Sequence, residues 1–421
     1  PFPKNFPRET VFIDPHPSQF CECGCSRRAL PSTTFERLKF VPAKVVVVEE
    51  IHRKSVCRNC GHFAYPKHPD RLFEQSRYDK SLTIAAIMDK FADGLPYYRQ
   101  QTRFDRVGVP VDRSTISLWA NRGAKALKPL YKLMLDDLRR TTVLAMDETP
   151  LPQLDPGRGK VKKGYLWTLM RDPRNYAGNE APCAVFKYAG SRAGLNAEEM
   201  LDGFAGKLHV DAYAGYNRLT ASDRSGGPVE LSYCWAHVRR KFVEIMRTSK
   251  NDLAAECIRL IDTMFAIERD LKGKPALVRQ TTRQLETLPI VDDVFELMKQ
   301  SRFVGLKKSP MGKALAYALT LEDGLRLFLH DGQLEISNNP VENIIRHVAI
   351  VRKNALFAGS EAGGKYWAIA QSIIATRKLN NLNPEEYLKW VFDQMEAKLP
   401  RSQYHKLLPW NCPLRRNEPK Q

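Results

Sequence analysis

The sequence predicts a multi-domain α/β chain: a mixed sheet interrupted by a long helical stretch, with a small cysteine-bearing β module and a helical domain ahead of it. Three observations predict it. Three short apolar runs follow one another between residues 142 and 190, two more strand-like runs follow an intervening helix, and residues 243–329 show helical periodicity without a strand. A chain of 421 residues also exceeds one ordinary core, which predicts about two to four structural units.

Lys and Arg outnumber Asp and Glu by 66 to 47, a formal charge of +19. That balance suits a protein working against polyphosphate; the bland alternative is a basic enzyme with no such partner. No stretch reaches the run of roughly 18 apolar residues that spans a bilayer, and no charged-then-apolar leader opens the chain, so a soluble intracellular protein without membrane contact is expected. The nine cysteines are unevenly placed. Cys21, Cys23, Cys25, Cys57 and Cys60 crowd the N-terminal end, and the odd total argues against a disulfide framework.

Taken in order, residues 1–20 carry Pro1, Pro3, Pro7, Pro15 and Pro17 and read as an extended arm. The chain begins with Pro1, so a preceding segment is expected. Residues 21–63 read as a small β-rich module, with the β-branched run KFVPAKVVVVEEIHRK between two cysteine clusters. CRNCG, from Cys57 to Gly61, is a knuckle whose glycine allows a fold tight enough for backbone amides to face sulfur. Cys21 and Cys23 with Cys57 and Cys60 would complete a four-thiolate zinc site, and Cys25 can replace one of the first pair; free thiols are the alternative. Such an ion would stabilise a module too small to bury its own core.

Residues 64–141 turn helical, with apolar residues three and four apart in SLTIAAIMDKFADGLPYYRQ and LKPLYKLMLDDL. YYRQQTRFDRVG, a short VPV link and DRSTISLWANRGA resemble a helix-turn-helix, Asp112 or Ser114 capping the second helix. That helix would present Ser114, Thr115, Ser117, Asn121 and Arg122 to DNA, against the alternative that the pair is plain helix packing.

Residues 142–242 carry the argument for fold. TTVLAMDET, GYLWTLMRD and APCAVFKYAG read as an antiparallel meander, NAEEMLDGFAG as a helix, and KLHVDAY and PVELSYCWAH as two further strands leading into the basic helix HVRRKF. Three strands, a helix and then strands joined by crossovers are what a ribonuclease-H-like mixed sheet requires. In that sheet the first and fourth strands are neighbours, so Asp147 and Asp211 meet although 64 positions apart, while Glu148 points to the opposite face if its strand continues.

Residues 243–329 read as a helical insertion, and residues 330–378 return to the sheet with a helix opened by Asn339 and Pro340. Glu342, Arg346 and Lys353 then share one helical face, suited to a metal-bound phosphate; an ordinary ion-pair ladder is the alternative. In residues 379–421 Asn383 and Pro384 open another helix, whose Tyr387, Leu388, Val391 and Met395 read as core, and LLPWNCPLRR reads as a tail.

Asp147, in an otherwise apolar strand, Asp211 and Glu342 together read as a divalent-metal cage. Burying a carboxylate without a partner is costly, and phosphodiester cleavage at neutral pH needs a polarised phosphate and an activated water. The structural alternative makes these acids caps and turn residues.

At these residues the chain resembles the transposases of the insertion sequence 66 family, members of the larger group of DDE transposases. MDETP, HVDAYAGY, CWAHVRRKF and NNPVENIIRHVAIVRKNALFAGS occur in that family's order, and KFADGLPYYRQQTRFDRVGVPVDRSTISLW and the cysteine clusters are similar to its helical and zinc-binding segments. The resemblance covers nearly the whole chain. It implies a ribonuclease-H-like catalytic domain with a helical insertion, a catalytic triad of Asp147, Asp211 and Glu342 using magnesium or manganese, and structural zinc. Cys234 and His237 look like the CxxH signature found between the second Asp and the Glu and support the active-site architecture; with only two local ligands, a second zinc site is not expected there. Arg239, Arg240, Lys241, Arg346, Arg352 and Lys353 would position phosphates.

The implied activity is cutting and joining of DNA at insertion-sequence ends by two-metal hydrolysis and strand transfer. Implied partners are terminal-repeat and target DNA, further copies of the chain on that DNA, and accessory proteins encoded beside it. The implied setting is the bacterial cytoplasm and its nucleoid. A non-catalytic zinc-containing helix-turn-helix regulator and a stand-alone nuclease are the rival readings. The first cluster departs from the family pattern, being CECGC where CxxCG is expected, and the chain starts after the zipper-like segment that members carry.

Overall fold

The computed structural model describes residues 10, 45–60, 63–64, 70–74, 76–155, 159–301 and 309–414. It divides into two compact units, Pro1–His52 and Arg53–Gln421. In the first unit the described residues 45–52 have no regular secondary structure, and Val46, Val47 and Val48 are exposed. The β-branched run expected as strand is therefore not one there: β propensity measures fit to a half-buried pleated surface. Cys21, Cys23 and Cys25 lie outside the described residues.

The second unit opens with a hairpin, β1 (Ser55–Val56) against β2 (Phe63–Ala64), flanking the CRNC knuckle. Helices follow as periodicity predicts. They are α1 (Lys80–Ile87), which runs into a π turn at Met88–Ala92, α2 (Tyr97–Arg106) and α3 (Arg113–Leu138). The long α3 buries Ile116, Ala120, Leu127, Leu130, Met134 and Leu138, an apolar stripe that seats it in the main core.

The sheet contains β3 (Val143–Pro150), β6 (Tyr165–Arg171), β7 (Cys183–Ala189), β8 (Lys207–Val210) and β9 (Glu230–Tyr233), in the order β7-β6-β3-β8-β9. A small hairpin of β4 (Gln153–Asp155) and β5 (Lys160–Lys162) projects between β3 and β6. β3, β6 and β7 form the expected antiparallel meander. After α4 (Leu195–Met200) the chain crosses over, and β8 joins β3, and β9 joins β8, in parallel. First and fourth strands of the sheet are thus neighbours, as the run order predicts.

From β9 the chain passes through α5 (Trp235–Thr248), α6 (Asp252–Asp270), α7 (Ala276–Thr282), a π turn at Arg283–Thr287, α8 (Leu288–Ser301), α9 (Pro310–Thr320) and α10 (Glu322–His330). Trp235, Phe242, Met264, Phe295 and Phe328 belong to a second apolar cluster, so this helical stretch has a core of its own. Both sheet edges are covered by helices. On β7, the hydroxyls of Ser372 and Thr376 accept the free N–H groups of Phe186 (2.8 Å) and Ala184 (3.0 Å) from α12 (Glu361–Leu379), which removes a pairing edge. On the other side Gly324 lets α10 approach β9 closely, since a Cβ there would lie 2.6 Å from the Leu231 carbonyl oxygen.

The helix that returns to the sheet, α11 (Asn339–Ala355), starts where Asn339 and Pro340 predict. In α13 (Pro384–Glu396), Asn383 caps the start by accepting from Glu385 and Glu386 N–H, and Tyr387, Leu388 and Val391 are core. The segment read as a tail, which begins at Leu407 at the end of a 3-10 turn (Arg401–Leu407), forms a second such turn at Pro409–Asn411 and buries Leu407, Leu408 and Cys412 in the main core. Proline breaks its periodicity without removing its apolar side chains. No helix among the described residues is long and apolar enough to cross a membrane.

Candidate active site

The burial pattern of β3 alternates, placing Leu144, Met146 and Glu148 on one face and Val143, Ala145 and Asp147 on the other. The strand continues past Asp147 to Pro150, so Glu148 points away from Asp147, as expected. β3 pairs with β8 at Val143↔Lys207, Leu144↔Leu208 and Ala145↔His209. Continuing that register puts Asp211, one residue beyond the end of β8, opposite Asp147. Each acid is oriented by a local bond: Asp147 Oδ1 accepts the N–H of Glu148 at 2.8 Å, and Asp211 Oδ1 accepts that of Tyr213 at 3.0 Å.

Glu342 reaches the same place from the first turn of α11. The residue that anchors this helix is Asn338, which the sequence did not single out. Its side-chain amide donates to the Met146 carbonyl at 3.1 Å, and its backbone N–H donates to Cys234 Sγ at 3.2 Å. Trp235 N–H bonds the Ile336 carbonyl at 3.0 Å, so the starts of α5 and α11 are tied together beside the strand that carries Asp147. Cys234 is buried at the N-cap of α5, and burial foremost pushes its thiol up to about 11.

Convergence of the acids is visible in their electrostatics. Burial first, then the charges of Glu148, Asp211 and Glu342, push the Asp147 carboxyl up to about 8, against the opposing bond from Glu148 N–H. A carboxyl that cannot easily ionise beside two others marks a site short of positive charge. His237, one turn into α5, sets its Nε2 4.0 Å from Glu342 Oε1. Burial holds the imidazole below its ordinary range, while Glu342 opposes that shift. Neither Glu342 Oε1 nor His237 Nδ1, both buried atoms, has a hydrogen-bond partner.

Glu148 forms a second cluster on the opposite side of β3. Tyr216 donates its hydroxyl to Glu148 Oε2 at 2.6 Å, and Arg192 donates to Oε1 at 2.5 Å. The Arg192 guanidinium lies 3.9 Å from the Tyr213 ring centre, and Tyr213 is the residue whose N–H orients Asp211. Glu148 was legible only as a neighbour of Asp147 and Tyr216 only as the last residue of HVDAYAGY; Arg192 lay in no motif.

The basic residues read as phosphate contacts divide in two. Arg346 and Lys353 on α11 and Arg240 on α5 are exposed. Arg239 is held by both oxygens of Asp262 at 2.5 and 2.9 Å, Lys241 lies 4.2 Å from the Tyr317 ring centre, and Arg352 donates to the Pro150 carbonyl at the end of β3. An open groove of about 420 Å³ begins at Ala236 and Asn339 and runs along Arg240, Val243 and Arg247. Ser114 and Arg122 are exposed on α3, whereas Thr115, Ser117 and Asn121 are half-buried, Asn121 donating to Ser117. Cys57 and Cys60 are exposed, and the amides of Cys60 and Asn59 face the Cys57 sulfur and hold its thiol below the ordinary value, the geometry a metal knuckle needs.

The described residues thus form a mixed α/β fold with acids at a parallel-strand end, under a helix that brings another. The chain belongs to the IS66 family of transposases, whose model matches residues 75–366; the IS66 C-terminal element matches residues 372–410. It is therefore a transposase, of a class of enzymes that bind, cut and join DNA. Among curated proteins it is similar to the uncharacterized proteins y4jD and y4qI of Sinorhizobium fredii. It is 34% identical to y4jD over 419 residues, covering 97% of this chain and 81% of the relative. With y4qI the identity is 33% over 413 residues, covering 97% and 76%.

Proposed function

We propose that this transposase is of the DDE type, with a ribonuclease-H-like catalytic domain in which Asp147, Asp211 and Glu342 form one site for divalent magnesium or manganese. The observation that carries the reading is the β3–β8 register, which runs on from Val143↔Lys207 to set Asp211 opposite Asp147, with the charge of Glu342 also felt at the Asp147 carboxyl. Three carboxylates supply the hard oxygen donors such ions take, and Glu342 Oε1, buried without a hydrogen bond, is a ligand atom not tied up by one. The sheet order and the long helical insertion before the Glu342 helix support the same reading.

When bound, the ions would polarise the scissile phosphate and activate the attacking water or 3′-hydroxyl. The chain's own residues do the rest. Asn338 fixes the distance between the Glu342 helix and β3, and Cys234 fixes the start of α5 against the same residue. Arg240, Arg346 and Lys353 hold phosphates by charge, giving an affinity that falls steeply with salt. Cys57 and Cys60 are ligands for structural zinc, which their knuckle suits. The protein works as a multimer that brings two element ends together on DNA.

The test follows a labelled 3′ end of element-end DNA incubated with the protein, Mg²⁺ and target DNA. The reading requires the label to become covalently joined to the target. Cleavage without joining would identify a stand-alone nuclease, and binding without cleavage a regulator.

A further inference from the structure

A second zinc site is not expected from sequence because only two ligands, Cys234 and His237, are local; in the fold α11 brings a third potential ligand, Glu342, to them. One ligand atom from each of Cys234, His237 and Glu342 lies within 4.8 Å of the other two. We propose that this trio is a second cation site, selective for a thiophilic ion such as Zn²⁺, and that its occupation silences the enzyme by drawing Glu342 away from Asp147 and Asp211. The silencing rests on the function proposed above; the zinc site does not.

The geometry is close to what the ion needs. A tetrahedral zinc with nitrogen and oxygen ligands at their usual lengths of ~2.0–2.2 Å separates those atoms by roughly 3.4 Å. His237 Nε2 and Glu342 Oε1 are 4.0 Å apart, so a side-chain rotation of well under 1 Å closes the gap. The elements need not move. Cys234 is fixed at the start of α5, Glu342 lies one turn into α11, and Asn338 locks those two helix starts together. Glu342 Oε1 is buried without a partner, as is the other ring nitrogen of His237. Three protein ligands leave a fourth position for water, as in open zinc sites.

Ligand chemistry separates this site from its neighbour. A thiolate and an imidazole suit zinc and are poor partners for magnesium, which takes hard oxygen ligands. Asp147 and Asp211 offer oxygen alone. Glu342 stands between the two sites and can serve either, so a thiophilic ion competes for it without entering the acid pair. Binding converts the Cys234 thiol to a zinc-bound thiolate with release of its proton to solvent.

The experiment uses the full chain and its Cys234→Ser variant, each equilibrated with excess Zn²⁺, freed of unbound metal and analysed for zinc per chain. The proposal requires one zinc fewer in the variant, because the N-terminal cysteines contribute equally to both. In parallel, Co²⁺ should give a thiolate charge-transfer absorption that is smaller in the variant, the N-terminal cysteines contributing equally to both, and His237→Asn, which keeps the sulfur, should weaken the part that Cys234→Ser removes. Equal metal content and identical cobalt spectra would overturn the site. With Mg²⁺ present, Zn²⁺ should inhibit cleavage of element-end DNA, and Cys234→Ser should raise the half-inhibiting concentration at least about tenfold relative to its own uninhibited rate. A zinc difference without differential inhibition would overturn the silencing. Absence of any Mg²⁺-dependent cleavage would count against the proposed function, while the metal analysis would still decide the site.

Discussion

The side-chain amide of Asn338 donates to the Met146 carbonyl at 3.1 Å, joining the residue before the Glu342 helix to the residue before Asp147. Two acids 195 positions apart in sequence are thereby held by one bond between their neighbours. Asn338→Ala leaves that carbonyl without its donor inside the protein and should cost about 1–3 kcal/mol of stability. Cleavage of bound DNA should slow while DNA affinity stays unchanged. Urea unfolding, binding and single-turnover cleavage read the three quantities, and a weakened affinity with a normal rate would contradict the assignment.

Asp147 predicts how metal-free stability depends on pH. Its carboxyl titrates near 3.8 when unconstrained and about 8 in the fold, so between these values the folded chain holds a proton that the unfolded chain has lost. Stability therefore falls as pH rises from about 4 to about 8, then levels off. Asp147→Asn removes this contribution, so the chelator-treated variant should melt above the parent at about pH 8 and close to it at about pH 5. Added Mg²⁺ should raise the parent's midpoint more at the higher pH. Parallel melting curves for the two proteins across this range would contradict the shift.

Much of this site was legible in the sequence for definite reasons. Leu144 and Met146 alternate with Val143, Ala145 and Asp147, which identifies both the strand and the face that carries the acid. Asn339 and Pro340 announce the Glu342 helix. What was not legible depends on long-range contact: Cys234 and Asn338 are 104 positions apart, and no periodicity encodes a sulfur accepting an amide. The Ser372 and Thr376 hydroxyls on β7 belong to a helix buried on nearly all sides, so it carries no amphipathic signal. Leu407, Leu408 and Cys412 were hidden by the prolines around them. Val45–Val48 misled in the other direction, since β-branched residues make a strand only where a surface receives them.

The helical stretch between β9 and α11 is held together by a buried ionic knot. Arg283, fully buried in its π turn, donates to both oxygens of Glu268 at 2.6 and 2.8 Å and to the carbonyls of Phe328, Asp331 and Leu334. Replacing Arg283 by Met strands the Glu268 charge and should cost about 3–5 kcal/mol. Changing Glu268 to Met in the same chain should recover part of that loss. Denaturant midpoints of the two single variants and the double variant measure the coupling; additive losses would contradict it.

Exposed and paired cations should behave differently on DNA. Arg346→Ala and Lys353→Ala should each flatten the plot of log affinity against log salt by about one unit, as the loss of one proposed phosphate contact would. Arg352→Ala should instead lower stability, having lost its bond to Pro150, and Arg239→Ala should change the salt slope least because Asp262 already pairs it. Binding titrations over a salt series check this, and equal slopes for all four variants would contradict it.

The central claim is that Asp147, Asp211 and Glu342 act as one metal-dependent site. Single-turnover cleavage of element-end DNA in Mg²⁺ tests it most directly, with Asp147→Asn, Asp211→Asn and Glu342→Gln compared with the parent under conditions where all four bind that DNA. Each substitution alone should lower the rate on the order of 10³-fold or more. Cleavage at the parent rate by any one of the three would contradict it.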